Sequence, residues 1–342
     1  MEFRHLYVVD PSTYNIPGFC DGISVRVHKD RQVEDVAIID VQRDLRGNAK
    51  PLPVSLHSEY SVIPVMIPEC LPERLYAVSY VNEFSFLKDD VFDEAEGEER
   101  DNLFSEMLAG LQGKQPSMGG TPETKRQMMK IDKERAAIVL SLWVEFLEKV
   151  RAGREFDDLD DYLAWRIDDV GKPIWSGCMI FGMALAIPDD EKEICSDLTR
   201  PPWTVLVLTN DYFSWDKEHS HAEAAGKSYF SNALRVIMRE RLIGLEEAKN
   251  MCRASIQRHV KEYLDVVNRE KKEKRLSRDV VCFTEALLYT ISGNAAWSVS
   301  CPRYNPDAHF SAEQMQLIAR AGDRPEDDVA KSGQVFASAA TA

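Results

Sequence analysis

Large apolar residues recur at helical spacing through most of this chain, and the strict alternation of a half-buried strand is nearly absent. The longest clear stretch, 72–94, reads as one apolar helix ending in an acidic cluster. Pro72 sits in its first turn, where a missing N–H costs nothing. Residues 33–45 predict a shorter helix, whereas 61–67 is apolar but broken by Pro64 and Pro68. An acidic run at 94–100 reads as a mobile segment, followed by a helix at 101–111. Thr121 caps a long helix with Pro122 at its first position, running to about Val150. Residues 159–187 predict another helix, interrupted at Gly171-Lys172-Pro173. Pro173 cannot donate to the carbonyl of Asp169, so the helix kinks there. Residues 203–208 have the β-branched content of a strand, but the polar positions that follow them make sense only on a helix. Helices at 228–242, 245–272 and 277–300, with a break at Gly244, complete an all-α set. Residues 1–32 carry Pro11, Pro17, Gly18 and Gly22 without a clear period and are expected to wrap a core built by later segments.

With 342 residues the chain is long enough for one large domain or two modest ones, and with 44% of them apolar it can bury a substantial core. Its net charge of −15 argues against nucleic acid or an anionic membrane surface as the main partner. Seven scattered cysteines without CxxC spacing fit the reduced thiols of a cytoplasmic protein. No apolar run reaches membrane-spanning length, and no charged leader with an apolar run opens the chain. The tail, 322–342, is rich in Asp, Ser and Ala and has almost no large apolar residues, too little to order itself. The expected division is a helical domain over 1–320 and the start of a disordered linker over 321–342. A homo-oligomer is compatible with the sequence.

The chemistry concentrates in Asn210-Asp211-Tyr212-Phe213-Ser214-Trp215-Asp216-Lys217-Glu218. On a helix Asn210, Ser214 and Glu218 lie at roughly 0°, 40° and 80°, so an amide oxygen, a hydroxyl and a carboxylate share one stripe. Hard oxygen donors of this kind suit Mg²⁺, which prefers octahedral oxygen coordination and keeps waters and phosphate oxygens. Lys217 is placed to meet an anion held by the same metal. Upstream, Asp89-Asp90-Val91-Phe92-Asp93 sets Asp89 and Asp93 on one helix face. Facing each other across a pocket, the two groups would hold several Mg²⁺ ions around a diphosphate. Alone, each would pass for a solvated helix end or a turn. Both, however, directly follow apolar segments that should be buried. His219 and His221, separated by Ser220, read as a solvated helix end rather than a metal pair.

DDxxD followed by NDxxSxxKE resembles the metal-binding pair of class I terpene cyclases. The wider wording Asn82-Glu83-Phe84-Ser85-Phe86-Leu87-Lys88-Asp89-Asp90 and Trp297-Ser298-Val299-Ser300-Cys301-Pro302-Arg303-Tyr304 is similar to the cyclase domain of fungal fusicoccadiene-synthase-like bifunctional enzymes. That resemblance covers about Met1 to Phe310 and implies a class I terpenoid synthase fold, a single helical bundle around a central active-site cavity. It implies Mg²⁺, three ions in the full set, held by Asp89, Asp93, Asn210, Ser214 and Glu218. Arg166 matches the family's diphosphate-sensing arginine, Asp169 its linker position, and Arg303-Tyr304 its RY element, with Lys217 a further diphosphate contact. It also implies a prenyltransferase domain beyond the linker.

Such a site ionises a prenyl diphosphate and must keep the resulting cation from water. Aromatic rings serve that purpose, each worth about 0.5–2 kcal/mol through cation–π attraction. Phe86, Phe181, Trp203 and Trp297, on helices near the motifs, are the expected lining. The reaction expected is cyclisation of a linear C20 diphosphate to a polycyclic diterpene hydrocarbon, or of a C25 diphosphate to a sesterterpene. An isoprenyl diphosphate synthase is the competing enzyme, though it would want a second aspartate-rich motif where Asn210 to Glu218 stands. A silent helical or Ca²⁺-binding module lacks the EF-hand spacing around a Gly.

Overall fold

The computed structural model describes residues 4–46, 54–95, 97–111, 121–149, 155–227, 229–305, 307–308 and 310–322. Among them the chain opens with two short antiparallel strands, β1 (Leu6–Val8) and β2 (Arg26–His28), which pair Leu6 with His28. Helices then follow in order: α1 (Gln32–Arg46), α2 (Val62–Met66), α3 (Pro72–Glu94), α4 (Gly97–Leu111), α5 (Thr121–Ile131), α6 (Lys133–Lys149) and α7 (Leu159–Asp169). The remainder are α8 (Lys172–Gly182), α9 (Lys192–Leu198), α10 (Arg200–Ala224), α11 (Ala233–Arg241), α12 (Leu245–Glu273), α13 (Arg278–Ser298) and α14 (Ala312–Gly322). The all-α expectation stands.

Three helices carry stretches that are buried nearly all round and form the inner ring. On α3 this covers residues 74–84 apart from Tyr76, on α10 residues 201–209, and on α13 residues 283–298 apart from Leu288. Amphipathic helices cover two of them, α1 packing on α3 and α12 on α10, while α6 packs on α8. Pro201 and Pro202 open α10, where their absent donors are not missed. Helix α13 crosses α2 so closely that a Cβ on Gly293 would stand 2.2 Å from the Val65 carbonyl oxygen. Only glycine permits that approach. No helix of the described residues is long and apolar enough to cross a membrane.

Four local expectations need revision. The helix expected from Thr121 to about Val150 divides at Asp132, whose carboxylate accepts from Arg135 N at 3.1 Å and pairs with Arg74 at 3.0 Å. An aspartate that can bond its own backbone favours a cap over a helix interior. The segment read as mobile is helical from Gly97, and the Phe92 and Phe104 rings stack at 4.1 Å to fold α4 back over the cavity. The interrupted helix does break where expected, with Gly171 in the left-handed region at φ 91, but α8 stops at Gly182. Finally, α14 was not foreseen. Its Gln314, 2% exposed, donates to Asp35 at 2.9 Å and to the His57 carbonyl at 2.8 Å, docking the helix on α1. The tail 323–342 lies outside the described residues.

Candidate active site

A cavity of about 850 Å³ opens among α3, α7, α8, α10 and α13. Of the expected site residues, Phe86, Asp89, Arg166, Asp169, Trp203, Asn210, Ser214, Lys217, Glu218, Trp297, Arg303 and Tyr304 all line it. Phe181 does not. It is fully buried on the far side of α8, with the Arg74 guanidinium 5.0 Å from its ring, and belongs to the core. The side chain of Asp93 lies outside the described ones.

At the mouth, the two oxygen motifs meet through their charged neighbours. Arg303, 8% exposed at its side chain, grips Asp90 with two parallel bonds of 2.7 and 2.9 Å and lies 3.7 Å from Asp89. Lys217 reaches the same Asp90 at 3.2 Å. Burial pushes the Asp90 carboxyl up, but Arg303 and Lys217 outweigh it and hold the group below the usual carboxylate range. Asp89 itself stays more than half exposed at its side chain.

The break after α7 turns Arg166 inward. Its guanidinium pairs with Asp169, donates to Asn210 Oδ1 at 3.2 Å and reaches Asp211 Oδ1 at 3.3 Å. Asn210 in turn donates to the Tyr304 hydroxyl at 2.9 Å. Asp211 is fully buried and accepts from Tyr162, from Arg166 and from Ala233 N at 2.8 Å. Burial raises its carboxyl, and Arg166 works against that rise. Asn232 caps α11 through its oxygen and donates to the Asp211 carbonyl and to Glu218 Oε2, both at 2.9 Å. Burial and the neighbouring Asp211 push Glu218 up to about 7.

The donor set fits a divalent metal. Ser214 Oγ is buried, lines the cavity between Asn210 and Glu218 and interacts with the Glu218 carboxylate, while no donor among the described residues meets its oxygen. An acceptor left open in this way suits a cation. Among the described residues no group of three or more His, Cys, Asp or Glu side chains could hold a metal alone. Ligation here would therefore rely on the amide and the hydroxyl as well, with the rest left to substrate oxygens. His219 leans on Trp215 at 5.5 Å and pairs with Glu223, and His221 stands exposed at the rim, in keeping with a solvated helix end.

Below the mouth the wall is aromatic. Phe86 and Trp297 meet at 5.8 Å, Trp297 and Tyr304 at 5.3 Å edge-on, and Arg303 lies 5.1 Å above Phe86. Sequence reasoning missed Trp143, Phe146, Trp165 and Trp175, which complete the lining from α6, α7 and α8. It also missed Asp90, Asp211 and Asn232 as the groups that hold the others in place. The first two stand inside the motifs that were read; nothing in the sequence marks the third.

A helical bundle whose central cavity bears two facing oxygen motifs, basic side chains at its mouth and aromatic walls is the architecture of a class I terpenoid cyclase. Residues 80–262 match the family described as terpene synthase family 2, C-terminal metal binding, and the chain belongs to it. It is 39% identical over 335 residues to a bifunctional sesterterpene synthase of Aspergillus aculeatus, covering 93% of this chain and 47% of that protein. It is 37% identical over 341 residues to fusicoccadiene synthase of Phomopsis amygdali, again 93% and 47%. The chain thus spans about half the length of these curated relatives. The crystal structure of aristolochene synthase from Penicillium roqueforti shares the fold, with a TM-score of 0.68 at 21% identity over 80% of this chain and 96% of that one.

Proposed function

We propose that this chain ionises a linear prenyl diphosphate and cyclises it to a polycyclic hydrocarbon with release of diphosphate. One observation carries the reading: the motifs on α3 and α10 converge on the mouth of a single aromatic cavity, joined by the 3.2 Å contact of Lys217 with Asp90. Asp89 and Asp93 on one side, and Asn210, Ser214 and Glu218 on the other, would hold Mg²⁺, three ions in the full set. Bound there, Mg²⁺ supplies Lewis-acid neutralisation of the leaving diphosphate.

The protein's own groups do the rest. Arg166, Lys217, Arg303 and Tyr304 provide donors for the diphosphate oxygens, as charge-assisted bonds in the case of the three cations. Each is already held by an aspartate or by Asn210, so these donors are oriented before substrate arrives and are released to it on exchange. Phe86, Trp203 and Trp297, with Trp143, Phe146, Trp165 and Trp175, exclude water and offer ring faces to the cation.

Geranylgeranyl diphosphate, C20, is the substrate we propose, with the C25 geranylfarnesyl diphosphate as the alternative. The relatives' names include both diterpene and sesterterpene synthases. Their bifunctional naming and the half-length match support a covalently linked prenyltransferase domain as partner. The test is incubation with each diphosphate and Mg²⁺, alone and with isopentenyl diphosphate as the second substrate that elongation needs, followed by gas chromatography before and after phosphatase treatment. A cyclic hydrocarbon from either is expected; a longer prenyl diphosphate, or no product from both, would overturn the reading.

A further inference from the structure

Helices α3 and α13 both run towards the cavity mouth, since Asp90 on the first meets Arg303 just beyond the second. The Phe86 and Trp297 rings form the next layer inwards, 5.8 Å apart. About one turn deeper on each helix, roughly 4.5–6 Å along the axis, stands an asparagine. Asn82 precedes Phe86 by four positions and Asn294 precedes Trp297 by three. Each is 6% exposed, and each lines the cavity beside apolar residues such as Met66, Trp203 and Leu206.

Neither amide is well satisfied. Asn82 Nδ2 is enclosed and has no hydrogen-bond partner among the described residues. Asn294 Nδ2 reaches only the Leu206 carbonyl, at 3.5 Å, and its oxygen accepts from Ser298 Oγ at 3.4 Å. Both distances are long for hydrogen bonds. A leucine of similar shape would pack into this wall without leaving a buried polar group unpaired. Two under-satisfied amides at one depth of a hydrocarbon pocket are therefore poor structure, and call for a role in what the pocket holds.

The chemistry of that occupant narrows the role. On the cyclase reading, on which this inference rests, a carbocation passes through the cavity. A carboxylate at this depth would collapse onto it as an ester. An amide is far less nucleophilic, yet its carbonyl carries a dipole that acts strongly where water is excluded. We infer that Asn82 and Asn294 form a polar subsite for the cyclisation cation, holding positive charge at that depth and so selecting which ring closure prevails. No bond is made to either amide.

The test compares Asn82→Leu, Asn294→Leu, Asn82→Ala and Asn294→Ala with the unaltered chain, using both diphosphates and Mg²⁺. Three readouts are taken: product distribution, single-turnover diphosphate release and thermal midpoint. The expected result is release within about twofold of the unaltered chain, an unchanged or higher midpoint in the leucine variants, and a shifted product distribution in all four. An unchanged distribution overturns the subsite. So does a shift confined to the leucine variants, which would report bulk, or a fall in midpoint or release, which would make the amides structural or part of ionisation. If the unaltered chain releases no diphosphate, it is the cyclase reading that fails.

Discussion

Lys217 on α10 and Asp90 on α3 stand 3.2 Å apart across the cavity mouth, so the two oxygen motifs are tied together by a carboxylate outside the proposed metal ligands. The same Asp90 holds Arg303 with two bonds. It thereby occupies two of the cations proposed to meet diphosphate. Asp90→Asn should therefore strengthen metal-free binding of inorganic diphosphate by about twofold to fivefold, the scale of exposed ion pairs. Calorimetry reads this directly, and an unchanged or weaker affinity would show that Asp90 does not compete.

Asn232 fastens Glu218 to the start of α11. Groups that orient a metal ligand typically influence metal affinity by about 10–100-fold. Asn232→Ser keeps a side-chain oxygen for the helix cap but withdraws the donor from Glu218. The Mg²⁺ concentration for half-maximal turnover should rise about tenfold, while thermal stability falls little. A variant that lost stability but kept its Mg²⁺ requirement would reduce Asn232 to a cap.

Phe181 and Trp297 should separate cleanly. Trp297→Ala opens the aromatic layer and should give earlier-quenched or rearranged products. Phe181→Ala removes a fully buried ring away from the cavity, and should cost about 3–5 kcal/mol of stability with the product mixture unchanged. Chromatography and denaturant titration check the pair; altered products from Phe181→Ala would return it to the wall.

A pH effect resides in His57, whose Nε2 meets Ser300 Oγ at 2.9 Å, three residues before Arg303. Its Nδ1 accepts from the Glu59 and Tyr60 amides, so the ring must be neutral. Burial, foremost, lowers it from 6.5 to about 4. The unfolded chain therefore binds the proton more readily, and this contribution to stability is lost as pH falls from about 6.5 to about 4, by about 3 kcal/mol. Comparing denaturation of the unaltered chain with His57→Asn isolates it from buried carboxyls such as Asp35, which slope the other way. Equal slopes would contradict the assignment.

The stripe of Asn210, Ser214 and Glu218 was legible because helical periodicity alone aligns three donors, and the apolar run before them pinned them to a buried helix. Arg166 and Arg303-Tyr304 were legible only through resemblance, since a lone basic residue carries no period. The supporting shell was not legible: Tyr162, Asp211 and Asn232 come from three helices whose meeting depends on packing. Periodicity also failed on α8. Its residues 177–182 are all buried, so the pattern could not say that Cys178 meets the cavity while Phe181 meets Arg74. The break at Asp132 turned on one aspartate choosing its own backbone over the helix interior.

The central claim is that metal and diphosphate are bound jointly by α3 and α10. Titrating inorganic diphosphate by calorimetry, with and without Mg²⁺, tests it most directly, because each ligand must raise the other's affinity by the same factor. The account predicts at least about tenfold tighter diphosphate binding with Mg²⁺, a coupling of roughly 1.4 kcal/mol, and loss of most of that gain in Asp89→Ala and in Asn210→Ala. Equal diphosphate affinity in the two conditions would contradict it.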